Sequence, residues 1–404
     1  GNPKAVMISH DSIIFESRAA RLAIGNKVFQ QPIEERVISY LPLSHVAGMM
    51  LDIILPLVCA GETPSWVTVN FARVYDLKAS SIVARFGTVK PTFFLGVPRV
   101  WEKIQAKMIA TKQAAIASGE MSPLKVSVSE WGKQVSLDHA HACQMGGNAS
   151  KDLLYPVAEA LVQNAVKKIL GLDQCKYAFT GAAPISVDTL EYFASVGINI
   201  NEVYGMSECT GAATWSTDDA HVWGSVGWAL PGVEVKVFDE KGNVVPPATD
   251  MFHPTEAEQG EICYRGRNIM MGYLANPDLG PEHVKEIAKK NAEAIDSNGW
   301  LRSGDKGCVD VRGMHRITGR YKELLIGAGG ENIAPVPIED NIKKLCPAIS
   351  NVMMVGDKLP YNCAIIALKT KGATGDLPGT EDLDGEALAL GESEGTTTVP
   401  KAMA

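Results

Sequence analysis

The sequence predicts an α/β fold built on a mostly parallel sheet. Short apolar strands alternate with helical patterns through the first half of the chain, and several of these strands read as fully buried. The strands run out into glycine, proline and hydroxyl residues, and loops at strand ends are where open α/β sheets hold ligands.

Taken in order, Gly1-Asn2-Pro3-Lys4 is a turn with a lysine, followed by a short apolar run and a helical pattern from Asp11 to Ala23. A lysine after such a turn can reach a phosphate, although a solvated lysine has the same spelling. Arg36 to Pro42 reads as a buried strand. Leu43 to Gly48 follows as a loop, with His45 at its junction with an apolar helix; a lone histidine there also fits a structural hydrogen-bonding role. Pro91 to Pro98 is a second buried strand, and Glu102 to Leu170 is helical and amphipathic, with turn signals at Gly119–Pro123 and Gly146–Ser150. Cys175 to Thr180 is a third strand, ending in Gly181-Ala182-Ala183-Pro184. Such small residues let a flat ring lie against backbone, and a tight strand-to-helix turn needs them too.

The richest stretch is Val203-Tyr204-Gly205-Met206-Ser207-Glu208-Cys209-Thr210-Gly211, a glycine-bounded loop after the alternating Ile198-Asn199-Ile200-Asn201. It offers an aromatic ring for stacking, hydroxyls for phosphate and one carboxylate. Mg²⁺ takes one or two carboxylates and otherwise keeps water and substrate phosphates. A surface turn with a solvated Glu208 is the plainer alternative. After Trp223 the strands shorten and turn signals multiply, which marks a β-rich subdomain; Asn276 to Asn291 reads as an exposed helix and loop. Asp305, after a Ser-Gly turn, suits a ribose diol or a cap. Arg320 offers a planar fork of donors, and Gly327 to Gly330 make a flexible turn before a helix from Val336 to Leu345. Beyond Thr370 the chain is rich in Gly, Glu, Asp and Thr without periodicity, which predicts a disordered tail.

Composition excludes several function classes. At 404 residues, 46% hydrophobic and 21% charged, the chain suits two or three globular domains at ~100–200 residues each. A net charge of −8 leaves no basic footprint for a nucleic-acid partner and no polybasic membrane anchor. The eight cysteines are scattered without ligand spacing, as in a reducing compartment. The most apolar window, Val46 to Ala60, is shorter than the ~20 residues of a span and holds Asp52 and Pro56, so it reads as a buried helix. There is no GxxxxGK[ST] and no GxGxxG, so neither the P-loop nor the dinucleotide-binding signature is present.

The motifs in this order resemble the adenylate-forming superfamily, specifically its long-chain acyl-CoA synthetases of the bubblegum type. The resemblance runs from Gly1 to about Lys369. It is carried by Tyr204-Gly-Met-Ser-Glu208, Gly299-Trp-Leu-Arg-Ser-Gly-Asp305, Gly319-Arg-Tyr-Lys322 and Gly329-Gly-Glu-Asn-Ile333, with Leu41-Pro-Leu-Ser-His45 and Gly181-Ala-Ala-Pro184 in support.

The resemblance implies the adenylate-forming fold: residues 1–222 as the C-terminal part of a large α/β domain, 223–319 as its β-rich subdomain, 320–370 as the start of a mobile α+β C-terminal domain, and 371–404 as the tail. It also implies a fatty-acid–CoA ligase that converts a fatty acid and ATP to an acyl-adenylate and pyrophosphate, then transfers the acyl group to coenzyme A and releases AMP. By the same resemblance Gly1 and Lys4 end the phosphate loop, Gly181, Ala182 and Ala183 line the adenine, and Tyr204 stacks on it, with Gly205 allowing close backbone approach. Ser207 contacts the α-phosphate and Glu208 holds Mg²⁺. Asp305 and Arg320 bind the ribose, Lys322 marks a hinge, His45 guards the acyl and pantetheine side, and Gly329, Gly330 and Glu331 line a coenzyme A tunnel. No obligate protein partner is expected. The expected location is cytoplasmic, with peripheral contact at the endoplasmic reticulum or another internal membrane left open.

Three departures stand out. The front of the phosphate loop is not here, Ala5 stands where the family commonly has glycine, and Lys401 does not match the lysine expected in the C-terminal domain. With a first residue that is not methionine, these suggest a fragment that does not make acyl-CoA by itself. A ligase of the same superfamily acting on other acids, and an inactive nucleotide-binding remnant, are the alternatives.

Overall fold

The computed structural model describes residues 4–24, 28–73, 76, 81–144, 154–218, 220–321, 323–326, 332–357, 359, 361–373 and 379–399. The chain forms two compact units. The first comprises 1–303 and 308–316, and the second 304–307 and 317–404.

The first unit opens with β1 (Val6–Met7), α1 (His10–Ile24) and β2 (Glu34–Ser39). One long helix follows, made of α2 (Val46–Met49), a π-helical turn over Met50–Ile54 and α3 (Leu55–Glu62), and it leads to β3 (Trp66–Phe71). β2 and β3 pair in parallel, from Glu34 opposite Trp66 to Ser39 opposite Phe71. Then come α4 (Ile82–Val89), β4 (Phe93–Leu95), α5 (Pro98–Ala117) and α6 (Pro123–Cys143). A second interrupted helix has α7 (Tyr155–Ala158), a π-helical turn at Glu159–Gln163 and α8 (Asn164–Leu170). β5 (Tyr177–Thr180), α9 (Val187–Ser195), β6 (Ile200–Met206), β7 (Gly211–Trp215) and β8 (Trp228–Ala229) complete the central region.

The main sheet has the order β4-β5-β6-β7-β8. Its first three strands are parallel, while β6, β7 and β8 are joined antiparallel, so the sheet is mixed rather than purely parallel. Successive side chains of a strand point to opposite faces, and a sheet covered on both faces therefore reads as a continuous apolar run. β4 and β5 show this directly. Phe94 and Ala178 enter a layer with Phe86, Trp101, Leu190 and Phe193, and Phe93, Tyr177 and Phe179 enter the opposite layer with Phe29, Leu55 and Trp215. Edge-to-face contacts tie the first layer, with Trp101 at 5.2 Å from Phe94 and 4.9 Å from Phe193.

After β8 come β9 (Glu234–Phe238), β10 (Gly260–Arg265) and β11 (Gly272–Tyr273), and the expected shortening is not seen, β9 and β10 having 5 and 6 residues against 3 and 4 in β4 and β5. The helix α10 (Pro281–Ala294) is followed by β12 (Leu301–Val309) and β13 (His315–Arg320), and the sheet order is β13-β12-β10-β9. β11 leaves this sheet and pairs antiparallel with β1.

The second unit contains β14 (Leu325–Ile326), β15 (Asn332–Ile333), α11 (Pro335–Leu345), β16 (Ile349–Val355), β17 (Cys363–Leu368) and α12 (Gly385–Ser393). β16 and β17 form an antiparallel ribbon. The expectation of a disordered tail over 371–404 is corrected for its described part. Asp384 caps α12, accepting from the Gly385 amide at 2.9 Å, and Leu383 and Ala387 pack with Ala348. Ala387 and Gly391, four apart within the helix, give it a buried face despite the polar composition around them.

Candidate active site

The ends of β5 and β6 bring the first group of expected residues together. The parallel register sets Thr180 beside Glu202, so Gly181 lies next to Val203 and the 181–183 turn flanks Tyr204. A Cβ on Gly181 would meet the Val203 carbonyl oxygen at 2.8 Å, which is why the strand end needs glycine. Ala182 takes a positive φ of 70° and is exposed with Ala183, so the turn presents small side chains and bare backbone. Tyr204 is half-buried, its ring 6.0 Å from that of Tyr264.

Gly205 marks a register irregularity in the β6–β7 hairpin. A Cβ there would fall 1.8 Å from the Gly211 carbonyl oxygen, so the two strands close only around glycine. Ser207, Glu208 and Cys209 form one 3₁₀ turn, and Thr210 then takes a φ of 62°. Its buried hydroxyl donates to the Asn268 carbonyl at 2.6 Å, fixing that conformation. Beneath this loop lies Glu16 of α1, which sequence reading passed over. Its Oε1 accepts from the Ala212 amide at 3.0 Å, and burial, opposed by that bond, pushes its pKa up to about 8.

Glu208 meets Lys4 through Tyr273. The antiparallel pairing of β1 with β11 sets Val6 opposite Tyr273, and the tyrosine hydroxyl donates to Glu208 Oε1 at 2.9 Å while accepting from Lys4 Nζ at 3.0 Å. The ammonium also lies 4.2 Å from the centre of the Tyr273 ring. Burial, and then the Glu208 charge, push the phenol's pKa upward, so it stays a donor across the physiological range. The tyrosine was missed, although the Gly272-Tyr273 pair after an apolar run was a signal for a short edge strand.

His45 caps α2, with Nδ1 accepting from the Ala47 amide at 3.1 Å. This is the structural use open to a lone histidine, and it puts the ring at the exposed start of the helix. Leu41 and Ala47 on either side of it wall a small pocket that is also lined by Tyr40, Leu95 and Phe179. Asp52, from the π-helical turn, lines it as well, and burial raises its carboxyl to about 6 against a hydrogen bond from Ser39.

Asp305 and Arg320 meet in the second unit. Arg320 Nε stands 3.0 Å from Asp305 Oδ1, with the carboxylate buried and the guanidinium exposed. The Tyr321 amide donates to the Gly304 carbonyl at 3.0 Å and ties the two segments beside this pair. Gly1, Lys322, Gly329, Gly330 and Glu331 lie outside the described residues.

The donor set fits Mg²⁺. One carboxylate is enough for an ion that takes most of its ligands from water and phosphate, and Glu208 supplies it. Among the described residues no cluster of three or more His, Cys, Asp or Glu gathers to form an all-protein cage.

Residues 1–274 match the AMP-binding enzyme family, and residues 322–382 match the C-terminal domain of AMP-binding enzymes. The chain belongs to the AMP-binding enzyme family. Within this family it is similar to the long-chain-fatty-acid–CoA ligase ACSBG2 of Gallus gallus, 41% identical over 389 residues, which is 96% of this chain and 46% of that protein. The long-chain-fatty-acid–CoA ligase heimdall of Drosophila melanogaster is 37% identical over 371 residues, 92% of this chain and 48% of that protein. The chain thus spans about half the length of the curated relatives it matches. Its fold is that of adenylate-forming AMP-binding enzymes. The O-succinylbenzoate coenzyme A synthetase of Bacillus subtilis, in complex with ATP and magnesium ion, superposes with a TM-score of 0.62 at 19% identity, covering 93% of this chain and 59% of that one. Among the described residues no helix is long and apolar enough to cross a membrane.

Proposed function

We propose that the protein is a long-chain fatty-acid–CoA ligase that forms an acyl-adenylate from a fatty acid and ATP, then passes the acyl group to coenzyme A with release of AMP. The observation that carries the reading is the meeting of Lys4 and Glu208 across one hydroxyl beside Tyr204, on a chain whose curated relatives bear that ligase name.

Attack of a carboxylate on the α-phosphate needs positioning and charge neutralisation more than a covalent nucleophile. Tyr204 stacks on the adenine against the 181–183 turn, with Gly205 giving backbone access. Ser207 donates to the α-phosphate, and Lys4, following Gly1, neutralises charge on the phosphate chain. Glu208 would hold Mg²⁺, which supplies charge stabilisation at the phosphates. Asp305, oriented by Arg320, accepts from the ribose hydroxyls. The acyl chain enters beside His45 along the apolar wall of Tyr40, Leu95 and Phe179, where water is excluded from the activated carbonyl. Lys322 is assigned to the hinge of the C-terminal domain, and Gly329, Gly330 and Glu331 to coenzyme A. The free, scattered cysteines suit a reducing compartment and so support a cytoplasmic enzyme, with any membrane contact peripheral.

The test is ATP–pyrophosphate exchange by the full-length protein with a panel of acids, followed by thioester formation when coenzyme A is added. Palmitate-dependent exchange and palmitoyl-CoA are expected. Exchange only with aromatic or short acids would move the protein to another ligase of the superfamily, and exchange with none would leave a nucleotide-binding remnant.

A further inference from the structure

The geometry points to Tyr273 as the residue that positions the two charged groups of the phosphate site, holding Lys4 and Glu208 apart so that each is available to MgATP. The inference rests on the nucleotide reading above and deepens it.

The tyrosine is anchored more firmly than the groups it touches. Its amide donates to Asn291 Oδ1 at 2.6 Å, and Asn291 Nδ2 donates back to the Tyr273 carbonyl at 3.1 Å. On either side, the Met271 amide donates to the Met7 carbonyl and the Leu274 amide to the Ala5 carbonyl, so β1 and the backbone before it are stapled to the same strand. The Met270 amide donates to the Glu208 carbonyl at 2.9 Å. One segment, 270–274, therefore fixes the backbone leading from Lys4, the backbone of Glu208 and the hydroxyl between their side chains.

An interposed phenol changes what the charges can do. A lysine and a glutamate free to approach would close into a direct ion pair, and the carboxylate would then have to shed its ammonium before taking a metal. With the hydroxyl between them, the contacts are 3.0 and 2.9 Å to a neutral group that can be left without separating opposite charges. The ring face adds a second hold on the ammonium that does not use the carboxylate.

Tyr273→Phe removes the hydroxyl and keeps the ring. Calorimetric titration of the full-length protein with AMP in EDTA, and with ATP with and without Mg²⁺, reads the effect without turnover. The expected result is an AMP affinity unchanged within about twofold, an unchanged melting temperature, and a loss of about tenfold in the gain that Mg²⁺ gives to ATP binding. Adding Lys4→Met to Tyr273→Phe removes the competing ammonium and should restore most of that gain, although ATP binds more weakly overall. An unchanged Mg²⁺ gain in the single variant overturns the positioning role, as does a gain still missing in the double variant. A fall in AMP affinity together with the melting temperature assigns Tyr273 to the fold instead. Wild-type protein that binds neither AMP nor ATP overturns the nucleotide reading itself, and with it this inference.

Discussion

Two carboxylates, one in each unit, are held in opposite ways. Glu208 reaches its cation through a phenol, whereas Asp305 meets Arg320 directly at 3.0 Å. A guanidinium in contact fixes the plane of a carboxylate and lowers its appetite for a second cation, which leaves it suited to neutral hydroxyls such as those of a ribose. A carboxylate that meets an ammonium through a hydroxyl is not committed to a direct ion pair. The two carboxylates thus differ in what stands between acid and base, a phenol hydroxyl in one and nothing in the other.

The sharpest way to break this comparison is Glu208→Gln in the full-length protein. Pyrophosphate exchange should fall by ~10²–10³ while the fold is retained, since one electrostatic group at a phosphoryl transition state is commonly worth that much. Unchanged exchange at saturating Mg²⁺ would leave Glu208 no different from a solvated turn residue. Next in size is Asp305→Ala, expected to weaken ATP binding by about 1–3 kcal/mol through the unpaired diol, with the Michaelis constant for fatty acid little moved. A parallel rise in both constants would make the Asp305–Arg320 pair a strut rather than an acceptor.

The smallest effect concerns Glu16, the buried acid under the Glu208 loop. Burial raises its folded pKa from 4.5 to about 8. Between those values the folded state holds a proton that the unfolded state has lost, so the group's contribution to stability is fully present below about 4.5 and declines as pH rises through about 8. Glu16→Gln keeps an acceptor for the Ala212 amide and removes the titration. The drop in melting temperature from pH 5 to pH 8 should shrink by roughly 2 °C or more, the change that ~1 kcal/mol produces in a large domain. An identical drop in wild type and variant would show that Glu16 does not carry this dependence.

What the sequence made legible was local. Gly181 to Ala183 and Val203 to Gly211 are contiguous motifs at strand ends, and the parallel pairing of β5 with β6 brings them side by side as an α/β sheet must. Asp305 and Arg320 were each recognised from their own turn, and two long neighbouring strands supply the contact. Gly272-Tyr273 signalled a short edge strand but not its role, because the partners of Tyr273 lie 65 and 269 residues away and β1 and β11 are two residues each, too short for an alternation to register. Glu16 left a fainter trace. It occupies a helix face shared with Ala19, Ala20 and Ile24, all buried, and a carboxylate on such a stripe implies a partner from elsewhere in the fold. In the tail, α12 was hidden because the apolar residues that pack it near Ala348, among them Leu383, Ala387 and Leu388, are scattered through a polar stretch.

The widened turn at Met50–Ile54 bears on how this chain can change its length. A π-helical turn is an α-helix carrying one surplus residue, absorbed locally so that the faces before and after it stay in phase. Loss of one residue within 50–54 would restore ordinary α-geometry and leave Leu55 and Cys59, both buried, facing the core. The same loss at Val58 or Ala60 would turn the rest of the helix by about 100°. Single-residue gaps among related chains are therefore expected to collect at Asp52 and its neighbours, which makes the pocket wall beside Tyr40 the place where natural variation can reshape the cavity without disturbing the sheet behind it.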